Sequence, residues 1–218
     1  MTPWLLLQLA DSALPTGGFA HSGGLEAAVQ LGRVPGPEGL ARLVDELVWS
    51  LATSALPFAV AALRDPSALA ALDLRCDASL PGHVANRASR AQGQAYLRAA
   101  AALAPPAQAV AEEVRSLRLP GHLAPAFGAV MGRLGATPDA ARRLFLFQGA
   151  RAAVSAAVRL GVLGPLQAQS LLAGAAAEAE RALAGTEHLH PEDAAASAPV
   201  LDLLQGHQDR LYSRLFQS

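Results

Sequence analysis

The chain has 218 residues, room for one large domain or two small ones, and its 17 basic residues nearly balance 18 acidic ones to leave a net charge of −1. That balance excludes a polybasic binder of nucleic acid or anionic membrane. Fifty residues are alanine and none is lysine or isoleucine, so every base is an arginine, and a phosphate loop ending in Gly-Lys-Ser/Thr, a Schiff-base lysine and a Ser-Lys dyad are all excluded.

Taken along the chain, the signals are helical. Trp4 to Leu9 reads as a short apolar helix, with no basic region before it and Asp11 ending the run, unlike a signal peptide. An irregular loop follows from Ser12 to Ser22, then a short helix from Gly24 to Leu31, stopped by Gly32. Pro37 sits at a first-turn position and opens a helix to about Thr53, in which Leu40, Leu43, Val44, Leu47 and Leu51 recur at helical spacing. Pro57 breaks this element before a second piece that reaches Leu63, and the uncharged stretch Leu47 to Leu63 reads as buried helix rather than a membrane span. Asp65-Pro66 starts the next helix, with Asp65 as its N-cap.

A long helix is predicted from Gly82 to Leu103, a further one ending near Leu117, and another from Ala124 to Leu134, closed by Gly135. Thr137-Pro138-Asp139 combines a capping hydroxyl, a first-turn proline and an acid at the positive helix end. The helix it opens should run to Leu160 with Leu144, Phe147, Val154 and Val158 on one side. Pro165 to Ala184 reads as one helix, Gly185 to Pro199 as a polar loop, and Val200 to Phe216 as the last helix. Strand signals are thin, so the expectation is an all-α single domain of about eight to ten helices. The single cysteine, Cys76, rules out an internal disulfide, a CxxC pair and a Cys-rich zinc site, and suits a reducing cytoplasm.

Two ends of the chain stand out. The segment Ala13 to Gly24 holds four glycines and a proline within twelve residues, which calls for specific backbone conformations including positive φ. Within it, Ala20-His21-Ser22-Gly23-Gly24 approximates a nucleophile elbow, but Asp11 to Gly18 cannot supply the buried strand that motif needs. At the other end, Leu211/Leu215 and Tyr212/Phe216 repeat at four-residue spacing beside Arg210/Arg214, so a helix there would lay an apolar face into a groove, its own core or a partner's. On the Gly82–Leu103 helix, Arg87 and Arg90 share a face that is either solvated or a docking edge for an acidic partner. His188 and His190, with Glu187 and Glu192 beside them, form the one close histidine pair, readable as a solvated loop or as a weak metal site.

These ends carry a resemblance. Gln8-Leu9, then Ser12-Ala13-Leu14-Pro15, Gly17-Gly18-Phe19, Ser22 and Gly24-Leu25-Glu26, resemble the N-terminal signature of the urease accessory protein UreF family, and Tyr212 to Ser218 is similar to its terminal motif. Gly121-His122 leading to Phe127-Gly128, and Val154 to Leu160 followed by Leu163-Gly164, are similar too, in order over nearly the whole chain. The resemblance implies an all-α fold, a homodimer, and a non-enzymatic chaperone that assists nickel insertion into urease by bridging UreD (also called UreH) and the GTPase UreG on apo-urease. It implies no cofactor of its own, nickel being handled by the assembled complex, a cytoplasmic location, and no nucleic-acid or membrane partner. The whole chain 1–218 would be one UreF-like domain, with segment 1–24 and tail 200–218 as docking elements. Phe19, His21, Glu26, Arg210, Tyr212, Arg214, Leu215 and Phe216 are the expected partner-binding residues, with Arg214 bonding loop carbonyls or an acid to hold both ends together. Ala20-His21 stand where many relatives carry Ser-Tyr, and Gln208-Asp209 where His-Glu is common. Two rivals come from other classes: a small helical hydrolase using Ser22 and His21, and a nickel-storing metallochaperone using His188 and His190. A cleft where hydroxyl, imidazole and carboxylate converge would favour catalysis over docking.

Overall fold

The computed structural model describes residues 1–34 and 36–218, and among these twelve α-helices and three 3₁₀ turns account for all regular structure, with no strand. The chain is a single all-α domain, its helix number slightly above the expected range. The helices are α1 (Pro3–Ala10), α2 (Leu25–Gln30), α3 (Gly36–Ser54), α4 (Leu56–Arg64), α5 (Leu69–Ser79), α6 (His83–Ala101), α7 (Pro105–Ser116), α8 (Leu123–Arg133), α9 (Pro138–Arg159), α10 (Pro165–Gly174), α11 (Ala176–Gly185) and α12 (Pro199–His207).

The centre is the α4–α8 pair. Ala124 to Met131 of α8 are buried throughout, as are Leu56 to Ala59, Ala62 and Leu63 of α4. Small residues set their distance. A Cβ at Gly128 would collide with the Ala59 backbone, and one at Gly132 with the Leu63 carbonyl, so the two backbones meet only because both positions are glycine. Around this pair, α6 and α7 cover one flank of α8, α5 lies across its end, and α3 and α9 close the side of α4. Tyr96, Phe127 and Phe145 fill the junction of α6, α8 and α9, with ring centroids 5.6 and 5.3 Å apart.

Capping follows the sequence. The Thr137 hydroxyl accepts from Ala140 N, with Pro138 at the first position of α9 and Asp139 in its first turn. Replacing Thr137 with alanine should cost about 1 kcal/mol, read as a lowered urea midpoint at unchanged slope. Asp65 caps the 3₁₀ turn Pro66–Ala68, accepting from Ser67 N, and α5 continues from it.

Three expectations are corrected. Phe147 is half-exposed beside Arg151, whose guanidinium carbon lies 5.6 Å from its ring, whereas Phe145 and Leu146 are buried. The reason is that α9 packs against α3, α4, α10 and α11 at once, so its buried surface wraps the helix and a single stripe misreads it. The span Pro165 to Ala184 divides at Ala175, because α10 packs on α9 while α11 packs on α3 as well. The tail is not helical to Phe216: α12 ends at His207, a 3₁₀ turn covers Gln208–Arg210, and the last residues are irregular. Among the described residues no single helix is long and apolar enough to cross a membrane; α3 and α4 together pass that test but are bent by 43° and carry core residues such as Val44, Val48 and Phe58.

Candidate functional site: a stapled pair of chain ends

The glycine-rich loop and the tail come together. Asp11 opens the loop with an Asx turn, its carboxylate accepting from Ala13 N at 2.9 Å. Gly17, Gly23 and Gly24 then take positive φ, as their spacing implied. At Gly24, with φ +92°, a Cβ would also press on Gln205 N of α12, so the glycine lets α2 begin directly against α12.

Glu26, in the first turn of α2, is buried, and its carboxylate faces the tail rather than solvent. Oε1 accepts from Leu215 N at 2.6 Å, and Oε2 accepts from Phe216 N at 3.1 Å and from Gln208 Nε2 at 2.6 Å. Gln208, fully buried, also donates to the Phe216 carbonyl. Two further backbone bonds tie the tail to the loop: Gln217 N donates to Ala20 O at 2.8 Å and Ser22 N to Ser218 O at 2.5 Å. The Ser22 hydroxyl donates to the same Ser218 oxygen, and His21 Nδ1 lies 2.6 Å from Ser218 Oγ. Burial pushes the His21 imidazole below its ordinary range, and nearby Arg87 adds to the shift, so the ring is neutral.

Arg159, at the end of α9, completes the junction. Its guanidinium carbon sits 3.7 Å from the Phe19 ring centroid and 4.4 Å from that of Phe216, and it donates to the Phe19 carbonyl. Asp209 anchors the turn before the tail, accepting from Arg87 at 2.9 Å and from Arg214 at 3.2 Å, with His83 Nε2 at 3.1 Å. The bond from Arg87 is the main reason its carboxyl stays below the usual carboxylate range.

The eight expected residues therefore fall into two sets. His21, Glu26 and Phe216 are buried and fasten the ends to each other. Phe19, Arg210, Tyr212, Arg214 and Leu215 are exposed, Tyr212 completely so. Arg214 does bond an acid, but Asp209 belongs to its own tail, so the linkage between ends expected of Arg214 is made instead by Glu26 and Arg159. Arg159, Gln208 and Asp209 had no local signal for this role, since their partners lie up to 182 residues away in sequence.

The Ser22/His21 rival loses its geometry, because both side chains turn to Ser218 and not to each other. His188 and His190 are exposed, and among the described residues no group of three or more metal-ligating side chains gathers. The loop also roofs a largely apolar cavity of about 520 Å³, walled by α3, α6 and α9.

The sequence profile of the UreF family matches residues 34–176. Urease accessory protein F of Oryza sativa subsp. indica is 38% identical over 98% of this chain and 84% of its own length, and that of Arabidopsis thaliana 37% identical over 99% and 92%. Urease accessory protein UreF of Mycobacterium sp. (strain JLS) is 34% identical, covering 94% of each chain. With its helical fold, its paired signature ends and these relatives, the chain belongs to the UreF family of urease accessory proteins.

Proposed function

We propose that this chain is a scaffold in urease maturation: it bridges UreD/UreH and the GTPase UreG on apo-urease and so assists insertion of nickel, without catalysing a reaction or holding a cofactor in that role. The observation that carries the reading is the stapled platform, in which Glu26 accepts three tail N–H groups while Phe19, Arg210, Tyr212, Arg214 and Leu215 face outward. Aromatic and arginine side chains on a rigid backbone are what a partner surface grips, because little conformational entropy is lost on binding. The lysine-free sequence supports a division of labour in which nucleotide chemistry belongs to the GTPase partner.

Segment 1–24 and tail 200–218 are the docking elements, and the working unit is a cytoplasmic homodimer. Bringing UreG to urease in this way raises its effective concentration there and biases its conformational equilibrium. Arg214→Ala should fold normally yet weaken capture of UreD, and then of UreG, by about tenfold, the equivalent of ~1.4 kcal/mol. Pull-down or biolayer interferometry with purified partners measures this. If the variant recruits both partners as the wild type does, the tail is not the docking element.

A further inference from the structure

A second constellation lies apart from the stapled ends, where α5, α6 and the start of α8 meet. His122, the N-cap residue of α8, is completely buried. Its Nε2 lies 2.9 Å from Asp77 Oδ1 on α5, and its Nδ1 lies 3.0 Å from Ser89 Oγ on α6. An ionised carboxylate only accepts, so Nε2 carries the proton toward Asp77 and the Nδ1 lone pair faces the serine hydroxyl. Asn86 donates to the same Asp77 oxygen at 2.8 Å, and chiefly through that bond keeps the carboxyl below its usual range.

The backbone around His122 is fixed as firmly. Asp73, fully buried, accepts from Gly121 N at 2.8 Å and His122 N at 2.7 Å. Gly93, one turn beyond Ser89 on α6, has no room for a Cβ because the Gly121–Leu123 backbone lies against it. This close approach is what brings Ser89 to the imidazole. Leu123 N points at Ser89 Oγ from 3.4 Å, which sets the positive end of α8 beside the hydroxyl.

Ser89 is half-buried and stands in the wall of the 520 Å³ cavity beneath the glycine-rich loop. Leu47, Leu51, Val84, Tyr96 and Phe145 make that wall apolar, and the buried Tyr96 hydroxyl has no partner among the described residues. Cys76 shares the cavity, but burial pushes its thiol up to about 12, so it stays protonated and is no nucleophile.

We propose that Ser89, His122 and Asp77 form a serine nucleophile that cleaves carboxylic esters with a small apolar acyl group, the cavity holding that group. Ser89 Oγ attacks the ester carbonyl carbon as its proton passes to His122 Nδ1. The same proton then goes to the departing alkoxide as the C–O bond to the alcohol breaks, leaving acyl-Ser89. Water, deprotonated by His122, attacks the acyl carbon, and the carboxylic acid leaves as Ser89 regains its proton. Asp77 stabilises the imidazolium formed in each half. The glycine-rich docking loop roofs this cavity, but none of the three residues belongs to the stapled ends and only Ser89 of them lines the cavity, so the activity is additional to the scaffold role.

The test treats the purified full-length chain with an alkyl fluorophosphonate and maps the adduct by peptide mass spectrometry, alongside hydrolysis of p-nitrophenyl butyrate. The expected result is one phosphonyl group per chain, on Ser89, with turnover of the butyrate ester. Ser89→Ala should abolish both signals while still capturing the docking partners. Asp77→Asn should lower labelling rate and turnover by about a hundredfold or more, a readout a purely structural acid would not move. Mapping on the wild type decides the matter even if a variant misfolds: no adduct on Ser89, or an adduct only after unfolding, means the triad merely caps α8 and overturns the proposal.

Discussion

Glu26→Ala should release the C-terminal tail while the helical body stays folded. The buried carboxylate satisfies Leu215 N, Phe216 N and the Gln208 side chain at once, and no other group on α2 reaches them. Hydrogen bonds to a charged acceptor are worth about 1.5–3 kcal/mol each, and their loss leaves donors buried without partners. Even one such bond would raise tail opening by roughly tenfold or more, and the three acting together by on the order of a thousandfold or more. The hydrogen-bond partners of this carboxylate all lie in residues 208–216, outside the α4–α8 pair, so global unfolding should move far less. Hydrogen exchange of peptides covering 208–218 measures the effect, and trypsin reports it independently, because Arg210 and Arg214 are the tail's only cleavage sites. Glu26→Gln should behave much like the alanine variant: one carbonyl oxygen remains, but its amide N–H₂ meets donors. Unchanged exchange in both variants would mean that Arg159 and the Ser22–Ser218 bonds hold the tail without the carboxylate.

Gly128→Ala should damage the whole fold. The added methyl would fall on the Ala59 carbonyl and Cα, which are backbone atoms that no rotamer change can move aside. Overpacking a tight core costs about 1–3 kcal/mol and more where backbone must shift, so a loss of about 3 kcal/mol or more is expected. For a domain of this size that lowers Tm by roughly 10 °C. Gly206→Ala on α12 is the internal comparison: nothing lies within contact of a Cβ there, so the same chemical change should be neutral or slightly stabilising. Calorimetry of the two variants separates a crowding effect from a general effect of replacing glycine. A Gly128→Ala protein as stable as Gly206→Ala would show that α4 and α8 can separate at little cost.

The helical class, most helix starts and the special backbone of the glycine-rich loop were legible in the sequence because each is decided within a few residues. Thr137-Pro138-Asp139 and Asp65-Pro66 satisfy their own neighbouring N–H groups, and Gly17, Gly23 and Gly24 take φ values that their lack of a Cβ permits. The family signature at both ends was legible for the same reason, being written in contiguous residues. The all-round burial of α9 was not, since a helix stripe can be read only when one face is covered.

The tail shows the division most clearly. Its four-residue spacing of Leu211, Tyr212, Leu215 and Phe216 fits a helix, yet the backbone there gives up helical bonds for those offered by Glu26, Ala20 and Ser22. Likewise Ser89, His122 and Asp77 carry no mutual signal in the chain, and only the crossing of α6 over the start of α8, permitted by Gly93, brings hydroxyl, imidazole and carboxylate into line. The sequence by itself determined the helical class, most helix starts and the absence of lysine chemistry, because these depend on local bonding and on residue identity. The tertiary structure alone decided which buried carboxylate meets which distant N–H, because such pairings follow from how helices pack, and packing is settled by contacts between residues far apart in the chain.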